Sequence, residues 1–134
     1  MPSTVQQLPQ LQSEPIVQTY FTTFNQGDFA ATASLFAAEA EMHAPFEAPL
    51  VGQSAIQDYL EKEAAGMEAN PQELTCVDLP DGLRQICVLG TAKALVFNVN
   101  VRWTFLLNSQ DEIEQLEVKL LASLQELVTL RSSE

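Results

Sequence analysis

The sequence predicts an α+β fold in which a curved antiparallel sheet wraps around three helices and leaves an internal apolar pocket. Two observations carry that prediction. Apolar residues recur at helical spacing through the first half of the chain, and from residue 72 onward strand signals replace them. Helices first and antiparallel strands afterwards is the pattern of one sheet with helices packed on a single face. A length of 134 residues gives room for one domain. Such a chain buries roughly two thirds of its unfolded surface, so its core needs no disulfide or metal.

Residues 1–12, rich in Gln, Pro and Ser, read as a disordered leader, which leaves 13–134 as the folded domain. Ser13 is placed to cap the first helix, with Glu14 in its first turn and Pro15 where a missing N–H is harmless. Ile16, Val17, Tyr20, Phe21 and Phe24 then share one face, and Gly27 ends the helix. Asp28 caps a short second helix carrying Phe29, Ala33, Leu35 and Phe36, so the two form a helical hairpin. Residues 40–51 read as a strand and then a loop, because Pro45 and Pro49 forbid a helix. Ser54-Ala-Ile-Gln57 has the form of a capping box and opens a third helix that runs to about Ala65 and stops at Gly66. It presents Ile56, Tyr59 and Leu60 inward and Glu61, Lys62 and Glu63 outward.

Leu74–Leu79 and Leu83–Leu95 flank Pro80-Asp81-Gly82, an Asp-Gly turn signal between two strands. The clearest strand is 97–107. Phe97, Val99, Val101, Trp103, Phe105 and Leu107 lie on one face and Asn98, Asn100, Arg102 and Thr104 on the other, a half-buried alternation. Asn108-Ser-Gln-Asp turns the chain into a fourth strand, Ile113–Leu121, with Leu116, Val118 and Leu120 on one face. A short helix over about 122–130 closes the chain. Four strands around three helices leave a conical cavity, where pockets tend to form.

Composition narrows the function. Eighteen acidic residues against six basic ones give a net charge of −12, the wrong sign for a nucleic-acid backbone or an anionic membrane surface. The first ten residues lack the basic and apolar parts of a signal peptide, and no apolar run reaches the length of a membrane span. A cytoplasmic protein is expected. Cys76 and Cys87 fall in apolar segments without CxxC spacing and read as small buried hydrophobes; a bridge across a hairpin stays open.

The same sequence is poor in catalytic parts. His43 is the only histidine, which argues against a metal site or a catalytic triad. There is no Gly-rich phosphate cradle, and the acidic residues fall on outward faces or in turns, so no paired carboxylates are nominated. No catalytic residue and no metal ligand is assigned. What stands out is Tyr20 on the apolar face of the first helix and Trp103 on the apolar face of the best strand. Each joins an apolar body to one hydrogen-bond donor. If the helix crosses the sheet, both donors converge in an apolar cavity and suit the carbonyl of a greasy ligand. As ordinary core aromatics they would instead bond backbone carbonyls.

The spelling of several segments adds to this. Tyr20-Phe21-x-x-Phe24-Asn25-x-x-Asp28-Phe29, Leu35-Phe36 and Pro45-Phe46-x-x-Pro49-Leu50-Val51-Gly52 resemble the C-terminal domain of the orange carotenoid protein. So do Trp103-Thr-Phe105-Leu106-Leu107-Asn108 and Leu120-Leu121-Ala122-Ser123 followed by Gln125-Glu126-Leu127. The chain is similar to stand-alone homologues of that domain, within the NTF2-like superfamily. The resemblance implies a conical NTF2-like fold and a soluble cyanobacterial protein that binds a ketocarotenoid of canthaxanthin or echinenone type. It implies that Tyr20 and Trp103 clamp the ring carbonyl; on that reading Phe24, Val101, Phe105 and Val118, from the same apolar faces, are expected to line the tunnel. It further implies a homodimer sharing one carotenoid, transfer to helical carotenoid proteins, uptake from membranes and singlet-oxygen quenching.

Departures from the family are also visible. The chain lacks the family's helical N-terminal domain, so light-driven antenna quenching is not expected of it. Where the parent domain has a Pro-Trp-Phe segment, this sequence has Leu95-Val96-Phe97, which replaces an aromatic tunnel wall by an aliphatic one. No cysteine stands near that loop, so redox control of a dimer is not carried over. A glutamate that contacts the partner domain in the full-length family aligns with Glu63, although a solvated helix face explains it equally well. Two other functions compete with carotenoid carriage: an NTF2-like enzyme acting on an apolar ketone, which needs an inward carboxylate near Tyr20, and a dimerisation module.

Overall fold

A computed structural model describes residues 9–121. Residues 9–13 form a 3₁₀ turn whose Leu11 is fully buried. The end of the expected leader is therefore ordered, because burying one Leu side chain returns about 1.5–3 kcal/mol toward fixing a short segment; residues 1–8 lie outside the described region. Helix α1 spans Pro15–Gln26 and buries Val17, Tyr20, Phe21 and Phe24. Ser13 does not cap it. Glu14 occupies the N-cap without a side-chain cap bond, and its carboxylate binds Arg84 instead. Gly27 ends α1 at φ 75°, a left-handed conformation that costs glycine little.

Asp28 caps α2, Phe29–Ala33, accepting from Ala31 N at 3.2 Å. The α1–α2 hairpin is tied by a 2.7 Å hydrogen bond between the Thr23 and Thr32 hydroxyls. Leu35 and Phe36, expected on this helix, lie beyond it: Phe36 opens strand β1, Phe36–His43, four residues earlier than predicted. After the loop and β2, Leu50–Val51, comes α3, Gln53–Glu63. The predicted capping box does not form. Gly52 is the N-cap at φ 92°, Gln57 donates to Glu61 at 3.0 Å, and Gln53 reaches Phe36 O at 2.6 Å.

The remaining strands are β3 Glu68–Asp78, β4 Arg84–Ala94, β5 Phe97–Leu107 and β6 Ile113–Leu121. The sheet holds six strands among the described residues, not four, in the order β2-β1-β6-β5-β4-β3. It is antiparallel except for β1 with β6, which run parallel. β3 begins before the predicted strand and admits Pro71 because it is an edge strand with a bulge at that point. Opposite it, Gly90 has no side chain to spare: a Cβ there would sit 2.1 Å from Asn70 O. The expected closing helix over 122–130 lies outside the described residues.

The cysteines correct another expectation. Both are free; Cys76 is exposed and Cys87 half-buried. Thr75, not Cys76, pairs with Cys87, so the two thiols point to opposite faces of the sheet. At the narrow end of the cone Arg84 binds Glu14 and, at 2.9 Å, Asp111, joining the N-terminal turn, β4 and the β5–β6 connection. At the other end of α1, the Asn25 side chain donates to Ala69 O at 2.9 Å and accepts from Ala69 N at 2.7 Å, which fixes α1 against β3.

Candidate functional site

Strand β5 positions the site. Along the face that alternation assigns to the core, exposure falls from 69% at Phe97 and 37% at Val99 to 2% at Val101 and 3% at Trp103. Phe105 and Leu107 are fully buried. Helix α1 covers the buried end through Tyr20 and Phe21. Beyond that cover the same face opens into a cavity of about 330 Å³, near the lower end of the range that holds drug-sized ligands, roughly 300–1,000 Å³.

Five of the six predicted residues meet around it: Tyr20 and Phe24 from α1, Val101 and Trp103 from β5, and Val118 from β6. Phe105 does not. It is buried behind the wall, its ring 5.1 Å from that of Tyr20 and 6.0 Å from that of Phe21. Alternation puts Phe105 on the correct face, but α1 occupies the space in front of it.

Tyr20 and Trp103 are set by a common neighbour. The Phe21 ring stands edge-on to both, at 5.3 and 4.9 Å, an arrangement worth about 0.5–1.5 kcal/mol per pair beyond burial. Burial, with a smaller repulsion from Tyr59, pushes the Tyr20 phenol far above its ordinary range, so it stays a neutral O–H donor. Both side chains line the cavity, and neither donor atom is among the buried side-chain atoms left without a partner. Two buried residues thus each bring one donor group to the lining of an apolar space, and a ligand carbonyl oxygen has the lone pairs to accept from them.

Sequence reasoning missed the mouth. Its wall includes Met42 of β1, Phe46 and Glu47 of the following loop, Glu63 of α3, and Met67 after α3. The loop between Pro45 and Pro49 has no periodicity to read, and it holds Phe46 at φ 64° with its side chain almost wholly exposed. Glu47 and Glu63 correct the expectation that carboxylates avoid the pocket: both line it, from exposed positions. Tyr59, which lines the cavity with them, is half-buried, its phenol pushed up by burial and then by Glu47 and Glu63. Leu95 and Val96, expected as a tunnel wall, instead form the exposed two-residue turn between β4 and β5, with Leu95 at φ 55°.

A second hollow of about 280 Å³ adjoins the mouth and shares Ala44, Pro45, Phe46, Val118 and Leu120 with the first. His43 lines it and lies 3.0 Å from Glu41. Among the described residues no group of three or more His, Cys, Asp or Glu side chains is placed to hold a metal, and no helix is long and apolar enough to cross a membrane.

The SnoaL-like domain family matches residues 17–105, more than half of the chain. The orange carotenoid-binding protein of Limnospira maxima is 28% identical over 96% of this chain and 43% of its own length. The chain thus spans under half the length of that relative. The structure of the Anabaena (Nostoc) sp. PCC 7120 orange carotenoid protein binding canthaxanthin superposes with a TM-score of 0.80 at 30% identity, over 87% of this chain and 38% of that one. An epoxide hydrolase/cyclase-like enzyme of salinomycin pyran-ring formation shares the fold, with a TM-score of 0.67 at 16% identity over 85% and 94% of the two chains. The chain belongs to the SnoaL-like, NTF2-like family and is homologous to the C-terminal domain of the orange carotenoid protein at about 28% identity.

Proposed function

We propose that this SnoaL-like domain binds a ketocarotenoid, canthaxanthin or echinenone in type, with its ring carbonyl accepting hydrogen bonds from Tyr20 and Trp103. The observation that carries the reading is the pair of buried residues that each bring one donor group to the lining of an apolar cavity, in a homologue of a protein whose structure is described with canthaxanthin. Phe24, Val101 and Val118 supply apolar walls for the ring end.

The cavity is small for an entire carotenoid, so a bound molecule projects past the mouth. Phe46, Leu95, Val96 and Phe97 are exposed, and an apolar surface of this kind gains by being covered. A homodimer enclosing one carotenoid meets that need. In the same reading the protein is a cytoplasmic carrier that takes its carotenoid from membranes, passes it to helical carotenoid proteins and quenches singlet oxygen.

Mixing the protein with canthaxanthin should give a soluble coloured complex with a red-shifted visible band that survives gel filtration. Loss of all colour on the column would sink the reading. Replacing both donors, Tyr20→Phe with Trp103→Phe, should blue-shift the band and weaken the complex by about 1–3 kcal/mol for two hydrogen bonds. A second reading, an enzyme acting on an apolar ketone, draws on Glu47 and Glu63 in the cavity wall. It requires proton exchange next to the carbonyl of a bound ketone, which deuterium incorporation in heavy water would reveal.

A further inference from the structure

We infer that the pocket mouth is a charge filter, admitting neutral isoprenoid ligands and rejecting anionic amphiphiles of the same apolar body. The inference rests on the cavity being a site for apolar ligands and adds a property of its entrance. The inner wall, with Tyr20, Phe24, Val101 and Trp103, carries no formal charge. The charged residues lining the cavity are Glu47 and Glu63, one from the loop after β1 and one from the last turn of α3. Both are exposed, and Tyr59, whose phenol both push up after burial, lines the same cavity. No Lys, Arg or His lines the cavity among the described residues.

The basic side chains of the neighbouring elements do not line this cavity. Lys119 and His43 belong to the adjoining hollow, where Glu117 lies 3.7 Å from the first and Glu41 3.0 Å from the second. Lys62 is exposed on α3. The net charge of −12 adds to the same field.

A ligand whose ring carbonyl reaches Tyr20 sends its far end out past Glu47 and Glu63. An uncharged polyene end passes them without penalty. A carboxylate tail, as on a fatty acid or a retinoid acid, meets two like charges and no cation to pair with. Apolar shape alone would not separate these two classes, since fatty acids offer the same hydrocarbon body.

Trp103 is the only tryptophan in the chain and lines the cavity, so its fluorescence reports occupancy. 4-Oxoretinol and 4-oxoretinoic acid share one oxo ring and polyene and differ only at the far end, a neutral alcohol against a carboxylate. The neutral probe should quench Trp103, and the acid should bind about tenfold or more weakly at low salt. The gap should narrow in about 0.5 M NaCl, where exposed charges are screened. It should close in the Glu47→Gln, Glu63→Gln double variant, with circular dichroism confirming the fold. Equal affinities for the two probes, or a gap that survives the double substitution, would overturn the filter and leave the pocket reading intact. Quenching by neither probe also overturns the filter, and if canthaxanthin forms no complex either, the pocket reading falls with it.

Discussion

At the narrow end of the cone Leu11, Phe36, Phe105, Leu107 and Ile113 are at most 1% exposed, while at the wide end Phe46, Leu95, Val96 and Phe97 are mostly exposed. Both sets are large apolar side chains. Both ends even share a strand, since β5 runs from Phe97 at the mouth to Leu107 at the base. What differs is the cover. At the base, α1, the N-terminal turn and the Glu14–Arg84–Asp111 bridge close over the sheet. At the mouth nothing among the described residues does so, and the sheet's apolar face passes into the pocket. Apolar side chains therefore stabilise the fold at one end and stand ready for a ligand or partner at the other.

The largest test of this contrast is Phe105→Ala. Emptying a fully buried aromatic site should cost about 3–5 kcal/mol, read as a fall in the urea midpoint; a loss below about 1 kcal/mol would mean the base is not a packed core. Arg84→Met is next. It leaves the buried Glu14 carboxylate without its cation, and a destabilisation of about 1–3 kcal/mol is expected. A smaller effect follows from the raised Tyr20 phenol. The unfolded chain releases that proton near pH 10.0 while the folded one retains it, so the folded state binds more protons above that point. Stability should be unaffected by this group below about pH 10 and fall by about 1.4 kcal/mol per pH unit above it. Tyr20→Phe should remove most of that slope and leave the lesser share of Tyr59, raised in the same direction. Smallest of all, Phe97→Ser at the mouth should shift stability by no more than about 0.5 kcal/mol. A large loss there would show that the mouth is part of the core after all.

How much of this was legible depends on the range of the interactions. β5 was readable to the residue because eleven positions alternate and each is governed by its own strand. The body of α1 was readable from its apolar stripe and Gly27. Its start was not, because Glu14 takes a partner seventy residues away in place of a local cap. The fate of Phe36 turned on a distant partner as well: Ile113 N donates to Leu35 O at 3.0 Å, which draws the chain into the sheet just where helical spacing suggested more helix. The tight turn at Leu95-Val96 carries none of the Gly, Asn or Asp that mark two-residue turns.

The candidate site divides the same way. Tyr20 and Trp103 were visible because each lies on a strongly periodic element, whereas Glu47, Phe46 and Glu63 reach the mouth from a loop and a helix end whose placement periodicity does not encode. Phe105 marks the limit from the other side: the correct face of the correct strand still does not tell which residues another element will cover.

The parallel pairing of β1 with β6 also orders events in time. β1 is made from residues 36–43 and its neighbour from residues 113–121, so during synthesis the first strand waits for the last one described. Synthesis at about 5–20 residues per second makes that wait several seconds. Until β6 arrives, Val118 and Leu120 are missing from the wall and the container has an open side. A chain that has not yet made β6 has no closed pocket, so ligand loading follows the synthesis of residues 113–121.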